Sequence, residues 1–109
     1  MYRREIKQEE TEIIQFLLKS KNMEERDFPI SHDVTDYEGA VMRSIGLGNE
    51  NSVYQGDIVQ VKYVDSDQIP VVITLTKDTN NQLLDLDFWK EDFSALVKYP
   101  VPVDLELIS

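Results

Sequence analysis

The chain has no cysteine, so disulfides and thiolate chemistry are excluded. Its only histidine, His32, stands in a polar stretch between Ser31 and Asp33. A catalytic triad draws its base, nucleophile and orienting acid from separate segments, so these neighbours cannot form one, and His32 reads as a solvated loop residue. Long apolar runs are also missing. None exceeds three residues, as at Phe16 to Leu18 and Val71 to Ile73, against about 20 for a membrane-spanning helix. Arg3 and Arg4 near the N-terminus are followed by Ile6, Lys7, Gln8, Glu9 and Glu10 rather than by the apolar core of a signal peptide. The expected location is the cytoplasm.

Bases are scarce beyond residue 26. The first 26 residues hold six bases and six acids, whereas the remaining 83 hold 15 acids and five bases and carry the whole net charge of −10. Such a field repels nucleic acid and anionic membranes and attracts cationic partners. Phosphate-binding signatures are absent as well. Gly46 and Gly48 are followed by Asn51 where a dinucleotide fingerprint needs glycine, and no Lys-Ser or Lys-Thr pair closes a P-loop.

At 109 residues, one domain spanning 1–109 is expected. Residues 8–21 read as a helix, with Ile13, Ile14, Leu17 and Leu18 on one stripe, acids in its first turns, Lys19 and Lys21 in its last, and Asn22 as a C-terminal cap. Residues 22–39 read as a connector with a short strand near 33–37, and residues 40–47 as a strand. Residues 57–64, 70–76 and 82–88 alternate with period two and are joined by short polar turns, which predicts an antiparallel meander. A helical turn at 91–96 and a last strand at 101–107 complete the reading, with Pro100 and Pro102 placing that strand at an edge or outside the sheet. The expected fold is α+β: an N-terminal amphipathic helix packed on a four- or five-stranded, mainly antiparallel sheet. Its other face, carrying Gln60, Lys62, Thr74, Thr76, Asp85 and Asp87, is expected to meet water. The sequence leaves oligomeric state open, although an unpaired strand edge would permit dimers.

Two acidic pairs invite a metal reading, because Asp65 and Asp67 share a turn while Asp85 and Asp87 share a strand face. An EF-hand starting at Asp65 would need Gly at 70 and Glu at 76, where the chain has Pro70 and Thr76. Turn formation is the plainer role for Asp65 and Asp67, and no cofactor is implied. The richer cluster is Asp85, Asp87, Glu91 and Asp92 with Phe88, Trp89 and Phe93 among them. Aromatic anchors flanked by charges have the makeup of a protein contact patch. The plain alternative is that Phe88 and Phe93 are core, Trp89 caps the sheet and the acids serve solubility.

Met42-Arg43-Ser44-Ile45 and the segment Leu84 to Leu96, with its Trp89-Lys90-Glu91-Asp92-Phe93-Ser94 core, resemble a family of small uncharacterised bacterial proteins. Its members resemble one another in a Glu-rich helix ending in a Leu-Leu pair, here Leu17-Leu18, an M-x-S-[IL] strand, and a closing L-D-x-W-K-x-D-F-S-x-L segment. The resemblance runs over roughly 3–97; the family's glycine-rich turn before the methionine is reduced here to Gly39 with Ala40 and Val41. It implies no catalytic residues. In size and charge the chain is similar to immunity proteins encoded beside secreted bacterial toxins, including those of contact-dependent growth inhibition. The leading expectation is a non-enzymatic acidic binding protein that neutralises a basic toxin, with Asp65, Asp67, Asp85, Asp87, Trp89, Glu91 and Asp92 making the contact. Two alternatives stand beside it: an accessory or regulatory module whose acidity only keeps it soluble, and a metal-dependent hydrolase using Asp65, Asp85 or Asp87.

Overall fold

The computed structural model describes residues 3–37, 43–49 and 51–108. The described residues form an α+β arrangement of one α-helix, α1 (Gln8–Ser20), and an antiparallel sheet. Among the described residues the sheet has seven strands: β1 (Arg3–Glu5), β2 (Asp33–Asp36), β3 (Ile45–Gly46), β4 (Tyr54–Val64), β5 (Pro70–Asp78), β6 (Leu83–Lys90) and β7 (Glu106–Leu107), in the order β1-β2-β3-β6-β5-β4-β7. The expected count of four or five is therefore too low. β1 has no counterpart in the expected set, being too short and too polar to show a period, and the expected last strand joins the sheet as its edge strand β7. The meander strands stand where alternation puts them but run longer: β4 begins three residues earlier, at Tyr54, and β5 and β6 end two residues later, at Asp78 and Lys90.

The core forms where the helical stripe meets one sheet face. Cross-strand rows Val59–Leu75–Leu86, Val61–Ile73–Phe88 and Tyr63–Val71–Lys90 align on that face. Every member is buried together with Ile13, Ile14, Leu17 and Leu18 of α1. Burying one such aliphatic or aromatic side chain contributes about 1.5–3 kcal/mol, so this layer is the main stabilising element. Among the described residues no helix is long and apolar enough to cross a membrane.

The helix ends are fixed locally. The Glu10 carboxylate reaches back to accept the Lys7 amide at 2.9 Å, half of a capping box. At the other end Met23 N–H donates to Leu18 O at 2.9 Å and Asn22 N–H to Lys19 O at 3.0 Å, a Schellman motif with Asn22 in the left-handed region at φ 57°. Asn22→Ala is expected to lower stability by about 1 kcal/mol and Asn22→Gly to leave it unchanged or slightly higher, as read by thermal denaturation.

Both meander turns are three-residue loops closed by a left-handed residue. In the first, Gln68 N–H donates to Asp65 O and Asp65 N–H to Ile69 O, with Gln68 at φ 70°. In the second, Asn81 N–H donates to Asp78 O and Asp78 N–H to Gln82 O, with Asn81 at φ 58°.

The C-terminal segment departs from expectation. The proposed helical turn at 91–96 is absent, and the last strand shrinks to β7 behind a 3-10 turn at Pro102–Asp104. Phe93 sits at φ 61°, which a right-handed helix forbids, and the amides of Ser94, Val97 and Lys98 donate to carboxylates of Asp92 and Asp65 instead of to helical carbonyls. The expected strand at 40–47 survives as Ile45–Gly46; residues 40–42 lie outside the described residues.

Candidate functional site

The face opposite the helix is built by the same alternation. Lys62, Val72 and Trp89 form one cross-strand row, and Gln60, Thr74 and Asp87 the next. Asp57 pairs with Thr76, whose hydroxyl in turn accepts the Asp85 amide at 3.0 Å. The six residues expected on this face thus share it, but water does not reach all of them. Thr74 and Thr76 are buried, and Asp85 is half-buried. Two side chains reach the aspartates: the Tyr37 hydroxyl donates to Asp85 Oδ1, and the Ser44 hydroxyl donates to Asp87 Oδ1 at 2.8 Å and accepts the Phe88 amide at 2.9 Å. Burial is the largest influence on Asp85 and holds its carboxyl above the ordinary range, against the hydrogen bond from Tyr37. Burial and the Asp85 bond push the Tyr37 phenol up as well.

Beyond Asp87 the face becomes exposed and aromatic. Trp89 is 44% and Phe93 64% exposed, and their rings meet edge to face with centroids 5.8 Å apart. Phe88, by contrast, is a core residue. Phe93 is held in the left-handed region at φ 61° by a turn in which its amide donates to Lys90 O at 2.9 Å, and this turn presents its ring beside Trp89. Asp87, Glu91 and Asp92 around this pair are exposed. No salt bridge reaches Asp85, Asp87, Glu91 or Asp92 from any base among the described residues. Asp92 accepts the Ser94 hydroxyl at 2.6 Å and amide at 3.0 Å, which hold its carboxyl below the ordinary range. Lys62 is the base in the Trp89 row, with Glu106 paired opposite it on β7.

Asp65 and Asp67 are elsewhere and do another job. Lys90 follows Leu86 and Phe88 on the inward side of β6 and is fully buried. Its ammonium donates to Asp65 Oδ2 at 2.9 Å, Asp67 Oδ2 at 2.6 Å and Ala95 O at 2.8 Å. Burial alone would lower the lysine's pKa, but the bonds to Asp67 and Asp65 outweigh it and raise the value. Asp65, also buried, accepts the amides of Val97 at 2.8 Å, Lys98 at 3.1 Å and Ser66 at 2.7 Å. Burial would raise its carboxyl, yet these donors and Lys90 hold it below the ordinary range. Of the contact set expected from sequence, Asp65 is buried, and its carboxylate is spent on Lys90 and three backbone amides. The pair suggested as a grip on a cation instead grips Lys90 and ties the chain after Trp89 to the β4–β5 turn. Among the described residues no group of three or more His, Asp or Glu is placed to hold a metal ion.

A second ionic network closes the far end. Arg4 donates to both oxygens of buried Glu10, at 3.0 and 2.8 Å, and to Asp36 at 2.7 and 2.9 Å, while the Tyr99 hydroxyl also donates to Glu10 at 3.3 Å. His32 is exposed on the connector, with its carbonyl taken by the Ile6 amide.

These features define an α+β sheet protein with one covering helix and an acidic, aromatic-bearing surface at the end of its third long strand. The chain belongs to the family described as the domain of unknown function DUF6984, whose model matches residues 3–100. No curated protein and no solved structure matches it.

Proposed function

We propose that this protein is a non-enzymatic acidic binding protein, acting in the cytoplasm as an immunity protein that neutralises a basic bacterial toxin by direct docking. The observation that carries the reading is the exposed Trp89–Phe93 pair, ringed by Asp87, Glu91 and Asp92 that no base among the described residues neutralises. Aromatic anchors supply affinity, and surrounding charge supplies speed and register. Asp85, half-covered by Tyr37, stands at the margin of the patch. Asp65 and the buried oxygen contacts of Asp67 position the segment that carries Phe93. The resemblance in size and charge to immunity proteins supplies the class of partner.

The test is to express the chain with the product of the gene immediately upstream. Copurification and rescue of growth are expected. The triple variant Asp87→Asn, Glu91→Gln, Asp92→Asn is expected to fold normally and to protect at least tenfold less well, since such charges steer association by factors of about 10 to 1,000. Absence of both copurification and rescue overturns the reading. Full protection by the triple variant would leave the acids a solubilising role alone.

A further inference from the structure

Arg3 and Arg4 are neighbours in β1 with opposite circumstances. Arg4 is saturated by two carboxylates. Arg3 spends its guanidinium on neutral oxygens: Asp33 O at 3.0 Å, Gly48 O at 3.4 Å and Thr35 Oγ1 at 3.5 Å. No carboxylate lies within salt-bridge range of it among the described residues, although the chain carries 21 acids. Among the described residues its charge therefore has no carboxylate partner, and it lines a cleft.

That cleft is about 550 Å³ and is lined by Arg3, Thr35, Tyr37, Gly46, Ser52 and Leu84 among others. Tyr37 and Leu84 supply its apolar surface and Arg3, Thr35, Asn49 and Ser52 its polar groups, and its volume lies within the roughly 300–1,000 Å³ of small-molecule sites. Register explains the hollow. Arg3 pairs with Thr35, Thr35 with Gly46 and Gly46 with Asp85, so one cross-strand row runs through a residue with no side chain. A glycine inside a strand marks a place where another group approaches the backbone closely. A Cβ on Gly46 would stand 3.2 Å from the Tyr37 hydroxyl and 3.7 Å from Thr35 Cβ, encroaching on the cleft. The loop beyond is drawn tight, because a Cβ on Gly48 would come within 2.5 Å of Ser52 Oγ.

We infer that this cleft is a binding site for a small molecule carrying a carboxylate on an apolar body, the carboxylate on Arg3 and the body against Tyr37 and Leu84. A planar guanidinium matches a carboxylate in geometry as well as charge. The cleft adjoins the acidic face through Tyr37, which donates to Asp85, but its assignment does not depend on the reading of the Trp89–Phe93 patch.

The probes are phenylpropionate and its uncharged analogue phenylpropionamide, titrated against the full chain while backbone amide resonances are followed. Saturable shifts are expected at Thr35, Gly46, Gly48 and Ser52 with the carboxylate. Affinity is expected to be roughly tenfold weaker for the amide, and for the carboxylate against Arg3→Gln, the factor a charge-assisted hydrogen bond supplies. Gly46→Ala, which fills the floor and leaves Arg3 in place, is expected to weaken binding while preserving the spectrum elsewhere. Shifts that never saturate, equal affinity for acid and amide, indifference to Arg3→Gln, or shifts centred on Trp89 and Phe93 would each overturn the assignment.

Discussion

Asp65→Ala is expected to remove about 3–5 kcal/mol of folding stability, the loss that follows when one partner of a buried ion pair is deleted. The carboxylate is buried and receives four donors: the Lys90 ammonium and the amides of Ser66, Val97 and Lys98. Alanine would take from the buried lysine its fully buried counter-charge and from three amides their acceptor. Domains of this kind have about 5–15 kcal/mol in total, so the melting temperature should fall by roughly 15 °C or more. Lys90→Met combined with Asp65→Asn removes both charges at nearly constant volume and should recover part of the loss. The pH dependence has a definite sign. The Asp65 carboxyl is held below its unfolded value, so its stabilisation is present above that value, about 3.9, and is lost as pH falls through the folded value. Asp36 and Asp78, lowered chiefly by Arg4 and by the Gln82 amide, act in the same direction. Wild-type stability should therefore drop below about pH 4, and Asp65→Ala should show a shallower drop. A melting point within a few degrees of wild type would show that the network contributes little.

Trp89→Ala is expected to weaken partner binding by about 2 kcal/mol or more, roughly thirtyfold, chiefly through faster dissociation. The indole is nearly half exposed and lies outside the core cluster, so folding stability should change little. Phe93→Gly separates the two roles further. It removes the exposed ring and also relieves a left-handed backbone that costs about 1–2 kcal/mol in a residue with a Cβ. The variant should fold at least as stably as wild type and bind more weakly. Calorimetric titration against the partner, paired with thermal melts, reads both quantities. Unchanged affinity in both variants would remove the aromatic pair from the interface.

Much of the fold was legible because burial leaves a period. Ile13, Ile14, Leu17 and Leu18 announce α1, and the alternations through Val61, Ile73 and Phe88 announce the three long strands. β1 was not legible, since Arg3-Arg4-Glu5 has no apolar residue and pairs only because β2 lies alongside. The segment after Trp89 misled because Phe93, Leu96 and their neighbours suit a helix locally, while a distant carboxylate, Asp65, takes its amides. Of the proposed contact patch, Asp87, Trp89, Glu91 and Asp92 stand in the sequence as a run of acids around an aromatic. The role of Asp65 could have been found by following parity. Position 90 continues the inward series of 86 and 88, so Lys90 had to be buried, and a buried lysine requires a carboxylate. Glu10 stands on the helical stripe in the same way and required Arg4. Tyr37 and Ser44 gave no such sign; they reach Asp85 and Asp87 across more than 40 residues of chain.

The most direct test of the acidic face as a docking surface is the association rate with the upstream gene product, measured from low to high ionic strength. Steered docking predicts a steep fall in on-rate with salt and a nearly constant off-rate, with the slope flattened in the Asp87→Asn, Glu91→Gln, Asp92→Asn variant. An on-rate indifferent to salt in the wild-type protein would contradict it.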